Sequence, residues 1–368
     1  MSLQFGILCN PENRRSRMFV EAVRAKGYPF PTVLSWSDYI SGRLDLGRSL
    51  APGTHLRIES PGENLMVDLL LLLEEGLHLS RAEIGWGEIA HGKTWYTGFA
   101  KVLKRLEAET AALPLASVYN APAAIRLMFD KWACHAQLAQ AGIAQPRRLG
   151  KVQSLDQLTA MMREANLKQV FLKPFYGSSA SGVIAFRWDG SRMQATTSVE
   201  IQGQGPEMRL FNSLKVRSYQ EPAEIRAIIA RLAAEDLLAE QWIPKASLGE
   251  ATFDLRVVVM FGQARHIVVR SSQSPLTNLH LGNARGSLAA FREAAGEALW
   301  TEVQHLAESA VAAIPGTAYA GVDIAISAGF GKAYVLEVNA FGDLLPRLHH
   351  RGETTYAAFV QHIIAQAQ

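Results

Sequence analysis

Two periodicities alternate along the first third of the chain. The short apolar runs FGILC, PTVLSW and HLRIES read as strands, whereas SRMFVEAVRAKG, closing at Gly27, and NLMVDLLLLLEEG read as helices. Strand and helix taken in turn predict a small parallel α/β domain ending near residues 112–120. The second helix carries Asp68 and two glutamates and is too short to cross a bilayer, so it is expected to bury one face in protein.

Beyond Tyr119 the pattern changes. APAAIRLMF and DKWACHAQLAQAG predict helices, the second capped by Asp130 and ended by Gly142, and Ser154 with Gln157 forms a capping box for LDQLTAMMREAN. After FLKP the chain reads as β-rich as far as SLKVRSYQ. A helix, PAEIRAIIARLAAE, then leads into the apolar LLAEQWI. Two hairpins follow: FDLRVVVMFGQARHIVVR, and YAGVDIAIS with KAYVLEVN turned at AGFG, separated by a helix running to about Ala313.

A length of 368 residues favours two domains, and 48% hydrophobic against 19% charged residues makes both globular. The net charge of +3 is spread without a basic block, so no nucleic-acid partner is expected. Cys9 and Cys134 are too few for a disulfide framework, and the N-terminus carries no export signal. A cytoplasmic protein with no membrane partner is expected, and a homodimer is the default for a soluble enzyme.

Chemistry concentrates in a few places. Lys173, on a strand beside Val170, Phe171 and Leu172, needs an anionic partner, and the GSSASG that follows offers backbone N–H groups and hydroxyls with little bulk, as a phosphate loop does. A flexible connector explains that loop equally well. Ser60, Pro61 and Gly62 stand at a strand-to-helix turn that reads first as an ordinary βα connection and second as a place where N–H groups hold an anion, with Arg14 and Arg15 at the matching edge. In YVLEVNAFG, Glu337 and Asn339 share a strand face, and Asp323 lies on the partner strand. Two carboxylates on an apolar face would repel each other unless a cation such as Mg²⁺ lay between them. Removing one should then leave the nucleotide-free protein as stable or more so.

The order Asp130-Lys131, Lys173 with its Gly/Ser loop, Glu240-Gln-Trp-Ile243, Asp254-Leu-Arg256, Arg270, NLHLGN from Asn278, Asp323 and Glu337-Val-Asn339 resembles the ATP-grasp superfamily, in its ribosomal-protein glutamate ligase and glutathione synthetase branch. The resemblance covers residues 119 to about 345. It implies a mixed α/β and α+β chain: an N-terminal pre-ATP-grasp domain over 1–118, then an ATP-grasp domain over 119–368 with a mobile lid at about 171–240. By the same resemblance, Lys131 and Lys173 hold nucleotide phosphates under the loop of Gly177, Ser178, Ser179 and Gly182. Glu240, Gln241, Trp242 and Ile243 read adenine and ribose, and Asn278 belongs to the nucleotide site. Arg256 and Arg270, with Lys173, act on the transferring phosphoryl group. Asp323, Glu337 and Asn339 bind Mg²⁺, as one ion or two, with Mn²⁺ as a substitute.

The chain departs from that branch after Asn339, where AFGDLLPRLHH displaces Gly342 and Pro346 and adds Asp343. The acceptor therefore does not carry over. Phe175, Tyr176, Trp242, His280 and His349 are candidates to line its pocket. The implied activity is ATP-dependent joining of a small-molecule or peptide carboxylate to an amine through an acyl phosphate. A peptide-modifying, macrocyclase-like ligase and a small-molecule kinase on the same fold are the alternatives.

Overall fold

The computed structural model describes residues 3–177, 180–277, 283–341 and 348–367. The front of the chain runs β1 (Gln4–Cys9), α1 (Arg14–Ala25), β2 (Thr32–Ser35), α2 (Trp36–Ile40), α3 (Leu46–Ser49), β3 (Thr54–Ile58), α4 (Leu65–Leu73), α5 (Gly92–Ala111) and β4 (Ser117–Tyr119). Its strands form a parallel sheet in the order β2-β1-β3-β4. Helix α5 was not anticipated from the sequence. It packs on α4 so closely that a methyl group at Gly98 would lie 1.9 Å from the carbonyl oxygen of Leu71.

Two helices, α6 (Pro122–Phe129) and α7 (Lys131–Gln140), lead out of this sheet, and the Asp130 carboxylate accepts from the Ala133 amide at 3.0 Å as a cap should. A second lobe follows: β5 (Arg148–Val152), α8 (Leu155–Glu164), β6 (Gln169–Pro174), β7 (Ile184–Trp188), β8 (Met193–Gln202), β9 (Arg209–Tyr219), α9 (Pro222–Ala233) and β10 (Leu237–Gln241). Its antiparallel sheet has the order β5-β10-β6-β7-β8-β9, and α8 and α9 bury apolar residues against it.

The third layer is β11 (Ser247–Leu248), β12 (Ala251–Met260), β13 (Gln263–Ser272), β14 (Ala284–Arg285), α10 (Leu288–Ala312), β15 (Tyr319–Ile326) and β16 (Ala333–Asn339). The two predicted hairpins, β12–β13 and β15–β16, pair side by side in the order β14-β13-β12-β15-β16. Alternation divides the roles of β12: Phe253, Leu255, Val257 and Val259 enter the core under α10, and Asp254 and Arg256 line a cleft on the other face. Further along that polar face, Val258 and Met260 pack against the front sheet.

A short hairpin, β17 (His349–His350) with β18 (Glu353–Thr354), precedes α11 (Thr355–Gln366), which returns to pack on α1. The front sheet is thereby finished by residues distant in sequence. Phe5, Ile7 and Phe19 share one core with Tyr319, Tyr356 and Phe359. The buried Arg57 guanidinium, paired with Glu59 at 3.0 Å, lies 4.1 Å from the ring centre of Tyr319 and 4.5 Å from that of Phe359. Among the described residues, no helix is long and apolar enough to cross a membrane.

Candidate functional site

Between the second lobe and the central sheet lies an open cleft of about 940 Å³. Lys131, Lys173, Gly177, Glu240, Gln241, Ile243, Arg256, Arg270, Asp323, Glu337 and Asn339, all singled out from the sequence, line it. Ser178, Ser179, Asn278, His280, Gly342, Asp343 and Pro346 lie outside the described residues.

Strand register explains the convergence. Arg256 stands opposite Asp323 between β12 and β15, and Asp323 stands opposite Glu337 between β15 and β16, next to a bulge. The Arg256 guanidinium grips both Asp323 oxygens, the Nη2 bond measuring 3.0 Å, and Arg270 reaches the same carboxylate at 3.2 Å. Burial pushes the Asp323 carboxyl upward, but the two guanidiniums outweigh it and bring it down to about 2. Glu337 is paired with Lys131 at 3.0 Å.

These pairs correct two expectations. Asp323 and Glu337 do not oppose each other bare, because cations of the chain already compensate them, so removing the Asp323 charge uncovers arginines instead of relieving repulsion. Lys173, expected to find its partner only in a ligand, is paired with Glu240. Burial works against its charge, yet Glu240 outweighs burial, and the ammonium is held above the ordinary lysine value.

The donors nonetheless suit a magnesium ion. Asp323, Glu337 and Asn339 offer hard oxygens from neighbouring strands, and the Asn339 amide nitrogen is spent on the Gly321 carbonyl at 3.3 Å, leaving its oxygen for a cation. No group of three or more His, Cys, Asp or Glu gathers for a metal among the described residues. Two carboxylates and an amide, completed by water and phosphate oxygens, is a set Mg²⁺ commonly accepts.

Other candidates sit elsewhere. Trp242 lies behind the cleft wall, 5.0 Å from the Phe171 ring centre and with the Arg187 guanidinium 4.7 Å over its own ring. Gly182 has φ +70° at the base of the loop, where a side chain would strike Pro174. Phe175 is buried in a stack with Trp132 and His349 is exposed on the last hairpin, and neither is among the residues that line this cleft. At Ser60–Gly62 the contacts are those of an ordinary turn, and the amides that the weaker reading offered to an anion are engaged. The Ser60 amide donates to Glu59, and the Gly62 amide donates to the Ser60 hydroxyl. Arg14 is exposed, and Arg15 is half-buried with its charge near Tyr319 and Tyr356.

Sequence reasoning missed Lys245 and Thr277 and gave Asp254 no role. The Lys245 ammonium is 2.7 Å from the Thr277 hydroxyl and 3.2 Å from Asp254, whose other oxygen accepts from Arg270 at 2.7 Å. Asp254 could have been found from its spacing of two from Arg256 on a strand. Lys245 follows a proline and carries no periodic signal.

Pro174, Gly177 and Ser181 are shared with a second cavity of about 1120 Å³, walled by Ser60, Gly62, Trp95 and Tyr176 and bearing Glu63, Asp68, Glu88 and Glu235. Tyr176 stacks on Tyr96 at 4.3 Å. The segment before α5 pairs with β9, the Ile89 amide donating to Leu210 and the Asn212 amide to Gly87, each at 2.7 Å.

The YheC/D-like ATP-grasp family model matches residues 121–368. Solved structures with a similar fold include the ATP-grasp ligase PsnB complexed with minimal precursor, 17% identical over 100% of both chains with a TM-score of 0.54. D-cycloserine synthetase DcsG is 15% identical over 99% of this chain and 100% of its own, with a TM-score of 0.58. D-alanine–D-alanine ligase from Bacillus anthracis, complexed with ATP, is 11% identical over 100% of both, with a TM-score of 0.52. No curated protein sequence is matched.

Proposed function

The chain belongs to the YheC/D-like ATP-grasp family, and on that premise we propose that it joins a carboxylate to an amine at the expense of ATP. One observation supports the reading: five cations, hard oxygen donors and the end of β10 line one cleft, and Pro174, Gly177 and Ser181 also line a neighbouring cavity.

The substrate carboxylate attacks the γ-phosphorus of ATP, a new P–O bond forms as the bond to ADP breaks, and an acyl phosphate results. The amine then attacks the acyl carbon, a C–N bond forms, phosphate departs and a proton is released. Lys131 and Lys173 hold the phosphate chain, and Arg256 and Arg270 meet the charge of the transferring group. Asp323, Glu337 and Asn339 would hold Mg²⁺, which supplies charge neutralisation between phosphate oxygens. The loop after Gly177 excludes water from the acyl phosphate.

A peptide acceptor is the alternative form of this reading, beside a small-molecule one. PsnB, solved with its precursor, shares the fold over the whole chain, as D-cycloserine synthetase DcsG does.

Hydroxylamine intercepts acyl phosphates as hydroxamates. Incubation with Mg²⁺-ATP, hydroxylamine and a panel of amino acids, small acids and acidic peptides should yield a hydroxamate and ADP with the authentic carboxylate. A substrate that instead accumulates a stable phosphate ester and no hydroxamate would move the protein to the kinases.

A further inference from the structure

Charge is unevenly shared in the cleft. Lys131 with Glu337, and Lys173 with Glu240, are one-to-one pairs. The three remaining cations, Lys245, Arg256 and Arg270, share two carboxylates, Asp254 and Asp323. Among the described residues lining the cleft, five cations thus face four carboxylates. A surplus charge on side chains this deeply buried is costly unless an anion meets it.

Lys245 is the cation least provided for. Its side chain is 8% exposed, its carboxylate is also gripped by Arg270, and its other partner, Thr277, is neutral. Burial lowers its affinity for a proton, Asp254 opposes that, and Arg270 and Lys173 add to it. Its backbone is fixed beside the central sheet, with the Ala328 amide donating to the Pro244 carbonyl and the Ala246 amide to Ile326, each at 2.8 Å. An ammonium on the cleft wall, carried by anchored backbone and sharing its one carboxylate with Arg270, is placed to bind an anion.

We propose that Lys245 is a third lysine contacting the phosphate chain of the nucleotide, in addition to Lys131 and Lys173. The inference rests on the nucleotide reading of the cleft given above. The competing role is purely structural, with Lys245 serving only to hold Asp254 and Thr277 in place.

Calorimetric titration with Mg²⁺ and the non-hydrolysable analogue AMPPNP separates the two. Lys245→Gln can still donate to Asp254 and Thr277 but carries no charge. It should melt near the parent yet bind AMPPNP about tenfold or more weakly, the loss of one charge-assisted contact. Lys245→Met should show at least the same loss, and Lys245→Arg should retain most of the affinity. Thr277→Val disturbs the same hub without removing charge and should lose much less affinity than Lys245→Gln.

If Lys245→Gln binds as tightly as the parent, or Thr277→Val is as damaging as Lys245→Gln, the inference is overturned. A parent protein that binds no nucleotide overturns the cleft reading together with it. A parent that binds alongside equally competent variants overturns this inference alone.

Discussion

Replacing Asp323 by asparagine tests the central ion-pair arrangement most directly. Asp323 is 7% exposed and bonded to two guanidiniums, and Arg270 keeps its bond to Asp254, 2.7 Å in the parent, after the change. Arg256 is then left without a carboxylate. Deleting one partner of a buried pair costs roughly 3–5 kcal/mol when nothing replaces it. The second route to a magnitude is the carboxyl itself. Brought from its ordinary 3.8 to about 2, it contributes roughly 2–3 kcal/mol at neutral pH. Asparagine keeps an acceptor for Arg256, so the lower figure applies, a fall in melting midpoint of roughly 3–4 °C. Because the folded-state value is depressed, this stability is fully present above about pH 4 and is lost as the pH falls through about 2. Parent and variant should therefore differ by a constant amount from pH 7 to 5 and converge under acid. Thermal melts without nucleotide or metal, followed by circular dichroism, supply the numbers. An Asp323→Asn protein that melts with the parent or above it at pH 7 would refute the argument.

Glu337→Gln should cost less than about 1 kcal/mol in the same assay, because its partner Lys131 also has the Gly177 carbonyl and the pair is partly exposed. Lys173→Met should lower both nucleotide affinity and stability by leaving Glu240 buried without its cation, and adding Glu240→Gln should restore the melting point but not the affinity. Restored binding in that double variant would remove Lys173 from the phosphate site. Gly98→Ala should destabilise by about 3 kcal/mol or more in urea titration, since its methyl meets backbone instead of a yielding side chain; a neutral result would mean that α4 and α5 pack farther apart.

The parts of the cleft that could be read from sequence are those governed by short-range periodicity. Arg256 and Asp254 share a strand face because they are two residues apart, and the hairpin turns near Gly262 and Gly329 punctuate runs that alternate correctly. Local capping was equally legible at Asp130 and Ser154. Register between distant strands was not. Nothing within a few residues of Asp323 says that Arg256 will face it, so the carboxylates read as uncompensated. Helix α5 was hidden for a related reason. It opens on Gly92, has His91 at φ 60° before it, and takes its N-terminal hydrogen bonds from Glu235, which accepts from the His91 and Lys93 amides. A cap supplied from so far along the chain leaves no mark beside the helix it starts.

The shared core beneath the front sheet gives the sequence boundary near residue 118 a particular meaning: it separates stretches of chain but not units of stability. A fragment ending there would present Phe5, Ile7 and Phe19 to water and strip Arg57 of the rings of Tyr319 and Phe359. A new front half therefore cannot be grafted by one crossover; α11 and the outer end of β12 would have to be exchanged with it. Phe19 shares that core with Val258, two residues along the strand from Arg256, so the front half and the strand that carries the cleft arginine are packed into one core.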